Sequence, residues 1–365
     1  MLVLYINYVD METAVSGSSV RPQKIYEAMI QAGYTVKMLF GSQNRGETSK
    51  RKERICEINE WLNTNKPDFC YIESPVYPIL LRQDRELIKR ISKLGIPIGY
   101  FYRDFYRKFS DLFPKRKGIN GFLKEIYLDY LQKKTDVLLK DCSIVYFPSE
   151  LCFSLFDYKT MKALPPAGEI IDNNDLCNYD LKTLVYVGGV SELYGFRNLI
   201  EAFDLLNKKG NLYKLLVVCR KNEWEKVSSS LKQRDWLTVF HLSGNELASV
   251  YKKAAAGIIT KPQNKYNNMA VSVKLFEYIS YGIPIISTHS NATDRIINKF
   301  NIGITVDDMP EAIANGVLKL LADDEAIKFY RNNTQIALQN NCQWIHRVKQ
   351  VEKDLLEINN EKDFD

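Results

Sequence analysis

Apolar residues recur along this chain in two rhythms, short continuous runs and longer stretches at helical spacing. The two alternate throughout. Leu2 to Asn7 reads as a buried strand, and Arg21 to Ala32 as a helix that Gly33 ends. Thr35 to Phe40 is the next predicted strand, Lys50 to Asn65 a helix, and Phe69 to Glu73 a short buried strand. Asp84 to Leu94 is helical and stops at Gly95, and Ile96 to Phe101 is a strand. A long helical region is then predicted to about Lys140, followed by a strand from Ser143 to Pro148.

The rhythm breaks at Ala163-Leu164-Pro165-Pro166-Ala167-Gly168 and at the polar Asp172-Asn173-Asn174-Asp175, which together mark a linker. A second series follows. Its strands are Thr183 to Val187, Lys214 to Cys219, Leu237 to His241 and Gly257 to Thr260, and its helices are Arg197 to Lys208 and Glu246 to Lys253. Alternating strand and helix signals predict α/β architecture with parallel sheets. A chain of 365 residues exceeds one ordinary core, so two domains of about 150–200 residues are expected. In open sheets of this kind, ligands bind beyond the carboxyl ends of the strands.

Composition narrows the class without changing the fold. Hydrophobic content of 45% and charged content of 26% are ordinary for a soluble globular protein. No apolar run reaches the roughly 20 residues that span a bilayer. Met1 to Ile6 lacks the basic flank of a secretion signal and soon turns polar. The seven cysteines (Cys56, Cys70, Cys142, Cys152, Cys177, Cys219 and Cys342) form no CxxC pair, and there are only three histidines. No metal site is therefore expected, and reduced thiols in the cytoplasm fit.

The net charge of +6 is mild but uneven. From Phe101 to Lys140, ten lysines and arginines stand against five acidic residues, among nine phenylalanines and tyrosines. Basic plus aromatic residues on an amphipathic segment suit an anionic membrane surface. A solvated helical face over an ordinary core accounts for the same charges. No nucleic-acid motif accompanies them.

The most specific chemistry lies in Ser272-Val273-Lys274-Leu275-Phe276-Glu277-Tyr278-Ile279-Ser280-Tyr281-Gly282-Ile283-Pro284-Ile285-Ile286-Ser287. Leu275, Phe276 and Ile279 fall at helical spacing, Gly282 supplies a left-handed stop, and a buried strand follows. Ahead of this helix runs the polar, irregular Lys261-Pro262-Gln263-Asn264-Lys265-Tyr266-Asn267-Asn268. A loop ending at a helix N-terminus presents unpaired N–H groups that suit a diphosphate.

This loop and helix resemble the nucleotide-sugar signature of GT-B glycosyltransferases, especially the large retaining family numbered four. Val185-Tyr186-Val187-Gly188-Gly189 followed by Asn198-Leu199-Ile200-Glu201-Ala202-Phe203 is similar to the start of the family's donor domain. Leu247 to Pro262 resembles the helix and strand before the donor loop. Trp344 resembles a tryptophan of the last helix, and Ser16-Gly17-Ser18-Ser19-Val20-Arg21-Pro22 the loop after the first strand. The resemblance implies two Rossmann-like domains facing each other across a cleft. Residues 1–165 would bind the acceptor, 166–182 form a linker, 183–340 bind the nucleotide sugar, and a helix in 341–365 cross back to the N-terminal domain.

It also implies roles. Glu277 matches the glutamate that accepts hydrogen bonds from the ribose diol, and Lys274 is placed to meet the diphosphate. Ser272 and the amides of Val271, Ser272 and Val273 form the expected phosphate cradle, with Gly17 and Gly188 in the facing loops. Backbone groups around Leu242 and Ser243 are expected near the base. Asp104 is the expected catalytic carboxylate beneath the donor sugar, unless Arg103 and Arg107 hold it as a salt-bridge partner. Arg103, Glu73 and Arg21 are acceptor-site candidates. Two departures stand out. Met269 occupies the position of the family's first glutamate, and Gly189 and Tyr194 replace its usual arginine and lysine. Arg220, Lys221 and Lys261 are the cations expected to compensate, Arg220 and Lys221 being equally well read as a charged strand end.

The function that follows is metal-independent transfer of a hexosyl-type sugar, with retention, from a UDP or GDP donor to an acceptor hydroxyl. The acceptor would be a glycan, a lipid-linked saccharide or a protein, in bacterial capsule or other surface polysaccharide synthesis. No cofactor beyond that donor and no nucleic-acid partner is expected, and peripheral association with the inner membrane face is. The rival is a GT-B-like accessory subunit that has lost catalysis. A sugar-nucleotide epimerase would need further acid/base carboxylates that the sequence does not offer.

Overall fold

Strands of this chain are apolar on both sides, so each must be covered by helices on both faces. In the computed structural model, residues 1–11, 17–44, 46–113, 116–171, 179–210 and 212–362 are described. Asp172-Asn173-Asn174-Asp175, Ser16, Lys115 and Cys177 lie outside them. The chain divides into two compact units, Met1–Pro165 with Trp344–Asp365, and Pro166–Gln343.

Unit 1 runs β1 (Leu2–Ile6), α1 (Gly17–Gln31), β2 (Thr35–Leu39), α2 (Thr48–Trp61), β3 (Phe69–Glu73), α3 (Arg82–Lys93), β4 (Ile98–Phe101), α4 (Ile119–Leu139), β5 (Ile144–Phe147) and β6 (Met161–Ala163). All six strands are parallel, in the order β2-β1-β3-β4-β5-β6. Every residue of β3 and β5 is buried, as the continuous apolar runs require.

Unit 2 contains β7 (Asp180–Val187), α5 (Phe196–Leu206), β8 (Lys214–Val218), α6 (Lys221–Trp224), α7 (Ser229–Lys232), β9 (Leu237–Phe240), α8 (Ala248–Tyr251) and β10 (Ala254–Ile259). It continues through α9 (Lys265–Met269), α10 (Val273–Ser280), β11 (Ile285–Thr288), α11 (Asn291–Phe300), β12 (Gly303–Val306), α12 (Pro310–Leu320) and α13 (Asp324–Asn340). Its parallel sheet has the order β12-β11-β10-β7-β8-β9. Alternate residues of the strands feed two cores. Leu184, Tyr186, Leu215 and Val217 pack with Phe196 and Phe203 of α5 and Val317 of α12. Val185, Val187, Leu216 and Val218 pack with Tyr251, Leu275, Tyr278 and Ile279. Both faces of the sheet are thus closed.

The final helix, α14 (Trp344–Lys362), belongs to unit 1. Its Asp354 accepts from the Tyr146 hydroxyl at 3.1 Å and the Lys162 ammonium at 2.6 Å. Arg347 donates to the Pro165 carbonyl, and Gln350 to that of Ala163.

Several sequence expectations are corrected. Among the described residues between β4 and α4, the one helical piece is the 3₁₀ turn Tyr106–Lys108, and Gly118 takes φ +83°, a left-handed conformation that stops a helix from propagating. Ala163, read as linker, closes β6, and Val145 and Phe147 of β5 pair through their backbones with that segment. The expected helix Glu246–Lys253 is a 3₁₀ turn, Gly244–Leu247, capped reciprocally by Ser243 and Glu246, before the short α8. The supposedly irregular donor loop contains α9, whose Asn264 side chain accepts from the Asn267 amide.

Candidate active site

In unit 2, β7 and β10 are neighbours although β8 and β9 intervene in sequence. The loops leaving their carboxyl ends therefore turn to opposite sides, and a crevice opens where the winding reverses. A cavity of about 210 Å³ occupies this place, lined by Glu192, Gly195, Asn198, Lys261, Thr288 and Asp308 among others. Lys261 is fixed by its backbone: its N–H donates to Thr288 Oγ1 at 2.8 Å, and the same hydroxyl donates back to its carbonyl at 2.9 Å. Burial pushes the Lys261 ammonium below the ordinary lysine range. Arg197, also on the lining, is held by Glu192 at 3.2 Å, and Asn198 donates to the Asp308 carbonyl. Beneath the crevice the Tyr278 hydroxyl bridges the diverging strands. It accepts from Val187 N–H at 3.3 Å and donates to the Ile258 carbonyl at 3.1 Å.

α10 supplies the second part. Gly282 takes φ +63°, so the helix ends where the sequence predicts. At its other end Ser272 makes no side-chain cap, and no acidic residue stands in the first turn. The first-turn amides there keep their positive dipole end uncompensated by side chains. Glu277 accepts from the Tyr251 hydroxyl at 2.6 Å and from Lys274 Nζ at 3.0 and 2.9 Å. Lys274, expected at the diphosphate, is thus bound to Glu277 in this structure. Burial, then the Glu277 charge, raises the Tyr251 phenol well above its ordinary range. Glu277 and Lys274 lie outside the cavity lining that contains Lys261.

The remaining predicted donor residues are scattered. Gly188 directly follows β7 and donates to the Val218 carbonyl at 3.0 Å. The Tyr194 ring packs over Gly189 so closely that a β-carbon there would not fit. Arg220 is 71% exposed and lies 3.5 Å from Glu223, while Lys221 is exposed at the start of α6; neither lines the cavity. Val271 and Ser272 are half-buried, and Val273 is at the exposed end of α10. Ser243 is engaged with Glu246.

In unit 1 the corresponding reversal lies between β1 and β3. Glu73 ends β3 and is 1% exposed; Arg21, four residues after Gly17 opens α1, donates to it at 2.9 Å. The Tyr71 hydroxyl also donates to Glu73 at 2.7 Å, and the Arg21 guanidinium stacks 3.6 Å from the Phe101 ring centre. Arg21 and Glu73 are therefore bound to each other in the core of unit 1 rather than free for an acceptor. Asp104 is paired with Arg103 at 3.0 Å, each side chain 16% exposed. Arg107 turns elsewhere, to Glu125 and Asp129.

Sequence reading missed a second buried pair. Arg51 is 0% exposed, donates to both Asp84 oxygens, and ties down the Asn7 and Gly41 carbonyls at 2.8 and 2.5 Å. Its setting in Ser49-Lys50-Arg51-Lys52-Glu53 looks like any solvated helix face, so no signal marked it. Tyr251 likewise carried no mark. Among the described residues, no group of three His, Cys, Asp or Glu gathers to hold a metal ion, and no helix is long and apolar enough to cross a membrane.

Two doubly wound parallel sheets, matched over nearly the whole chain by solved structures, give a GT-B architecture. Residues 181–323 match the model of the family described as glycosyl transferases, group 1. Among solved structures, the chain is similar to sucrose-phosphate synthase from Thermosynechococcus elongatus, with 12% identity, 97% of this chain and 98% of that one covered, and a TM-score of 0.65. It is similar to WaaG, a glycosyltransferase involved in lipopolysaccharide biosynthesis, at 14% identity, 97% and 99% coverage and a TM-score of 0.63. Anabaena HepE in complex with UDP and glucose matches at 11% identity, 97% and 98% coverage and a TM-score of 0.60. No curated protein matches the chain.

Proposed function

We propose that the protein is a glycosyltransferase that takes a sugar from a UDP or GDP donor and passes it to an acceptor hydroxyl. The observation that carries this reading is the crevice at the β7/β10 reversal, inside the segment that matches group 1 glycosyl transferases, with the half-buried Lys261 on its lining. A diphosphate would stabilise that ammonium, and the uncapped N-terminus of α10 offers further positive potential. These donors stabilise the leaving diphosphate without a divalent ion, so the reaction is metal-independent. Glu277, oriented by Tyr251, accepts the ribose hydroxyls once Lys274 swings from it to a phosphate. Asp104 serves the anomeric carbon, with retention of configuration. The acceptor is a glycan or lipid-linked saccharide of a bacterial surface polysaccharide, and the donor places the work in the cytoplasm. HepE, in complex with UDP and glucose, is a fold relative in keeping with such a donor.

Thermal stabilisation by a panel of nucleotide sugars tests the reading. A donor present at about a hundred times its dissociation constant should stabilise by about 2.7 kcal/mol, and Glu277→Ala should reduce that shift. A shift unchanged by Glu277→Ala would refute the ribose assignment. The second reading, an accessory subunit without catalysis, is favoured by one observation: Tyr194 fills the space over Gly189 where a phosphate-binding cation is absent. No shift with any donor would select it.

A further inference from the structure

The outward face of α4 has a character that neither donor binding nor folding of unit 1 explains. Ile119, Phe122, Leu123, Ile126, Tyr127 and Tyr130 are each more than half exposed, from 51 to 81%. On a helix of 100° per residue these positions and Val137 share one arc, and from Ile119 to Val137 the stripe is about 27 Å long. Single exposed apolar residues need no account, but a continuous stripe of this size does.

The charges on the same helix are sorted by face. Lys124, Lys133 and Lys134 are exposed, while the one acidic side chain bordering the stripe, Asp129, is 44% exposed and already paired with Arg107. The carboxylates of α4 are all engaged by other side chains of unit 1. Glu125 and Asp129 hold Arg107, and Asp136 accepts from Gln132 and Tyr158. Alongside lies a groove of about 540 Å³ between α3 and α4, lined by Arg82, Arg85, Lys89, Lys133 and Lys134 against the one carboxylate of Glu86. Glu86 is occupied by Arg82 at 2.5 Å. The groove shares Tyr130 and Val137 with the apolar stripe, so a cationic hollow and an apolar strip are continuous.

We infer that this face of α4, with the adjoining basic groove, docks on an anionic phospholipid bilayer, α4 lying in the interface with the groove over the headgroups. The match is chemical. Aromatic and aliphatic side chains enter the boundary of the acyl region, and the cations meet phosphate. A second copy of this chain fits worse, because a two-fold contact would set the three exposed lysines of one α4 against those of the other. The inference stands apart from the donor reading, since none of these residues lies in unit 2.

The test is co-sedimentation of the full chain with vesicles of a zwitterionic phospholipid, alone or mixed with an anionic one. The variants are Leu123→Asp/Ile126→Asp and Lys133→Glu/Lys134→Glu, all exposed positions, with unchanged melting temperature as the control for folding. Each basic residue near an anionic leaflet contributes about fivefold in affinity, so the lysine pair should weaken binding by about 25-fold or more. Wild-type binding should fall with added salt. The apolar pair should lose binding at every salt concentration. Wild-type protein that ignores anionic vesicles, or variants that bind as wild type does, would overturn the inference. So would a wild-type dimer in sedimentation velocity that Leu123→Asp/Ile126→Asp abolishes, since the face would then belong to a second copy.

Discussion

Lys261 is a half-buried cation lining the crevice, and its behaviour with pH follows from that partial burial. Burial lowers its pKa below the ordinary 10.5, so the folded state holds this proton less tightly than the unfolded chain does. The charged form therefore detracts from stability at neutral pH, and the loss is relieved as pH rises above the unfolded value. Lys261→Met should leave the protein at least as stable at pH 7, yet weaken nucleotide-sugar binding on the order of 10- to 100-fold. Equilibrium unfolding and donor titration, run together, check both halves. Wild-type affinity should also decline as pH rises through the lowered pKa, whereas Lys261→Arg, always protonated, should hold its affinity across that range. A decline shared by both variants would assign the titration elsewhere. The sequence put Lys261 and Glu277 forward as candidates, Glu277 through its match to the family pattern and Lys261 as a cation close to the donor loop. The contacts of Glu277 with Tyr251 and Lys274 were not. Tyr251 comes from α8, and only the folded sheet brings α8 beside α10.

Buried polar ties between elements carry specific energies. Arg51→Met would leave Asp84 charged and unpaired in the core of unit 1, a loss of about 3–5 kcal/mol. Replacing both, Arg51→Met with Asp84→Leu, should recover most of it, as urea midpoints would report. Tyr278→Phe would strand the Val187 N–H and the Ile258 carbonyl where β7 and β10 part, destabilising unit 2 by about 1–3 kcal/mol. An unchanged midpoint would mean that water takes the hydroxyl's place. At this scale the sequence spoke clearly where a strand is a bare apolar run, as at Phe69–Glu73, whose bounds the structure reproduces. It misled where aromatic residues continued a pattern without forming a helix. Phe105 and Phe109 are buried, yet they pack inward from irregular chain before Gly118 breaks the path. β6 was hidden because a three-residue edge strand next to Pro165 and Pro166 carries no period of its own.

Across the whole molecule, unit 1 is assembled from two distant stretches of chain. Asp354 receives Tyr146 and Lys162, and the Arg21 guanidinium lies 5.6 Å from the Trp344 ring. A chain stopped after Gln343 should therefore lose the calorimetric transition of unit 1 or see it shifted to lower temperature, while unit 2, which contains none of α14, keeps its own. An unaltered thermogram would show that α14 only decorates the sheet. The same feature sets an order of events on the ribosome. Residues 166–343 must be synthesised between β6 and α14, which at about 5–20 residues per second takes on the order of 10–40 s. During that interval unit 2 can finish folding, whereas unit 1 waits with the surface beneath α14 uncovered. The nascent N-terminal half is thus the stage at which this protein most needs a chaperone.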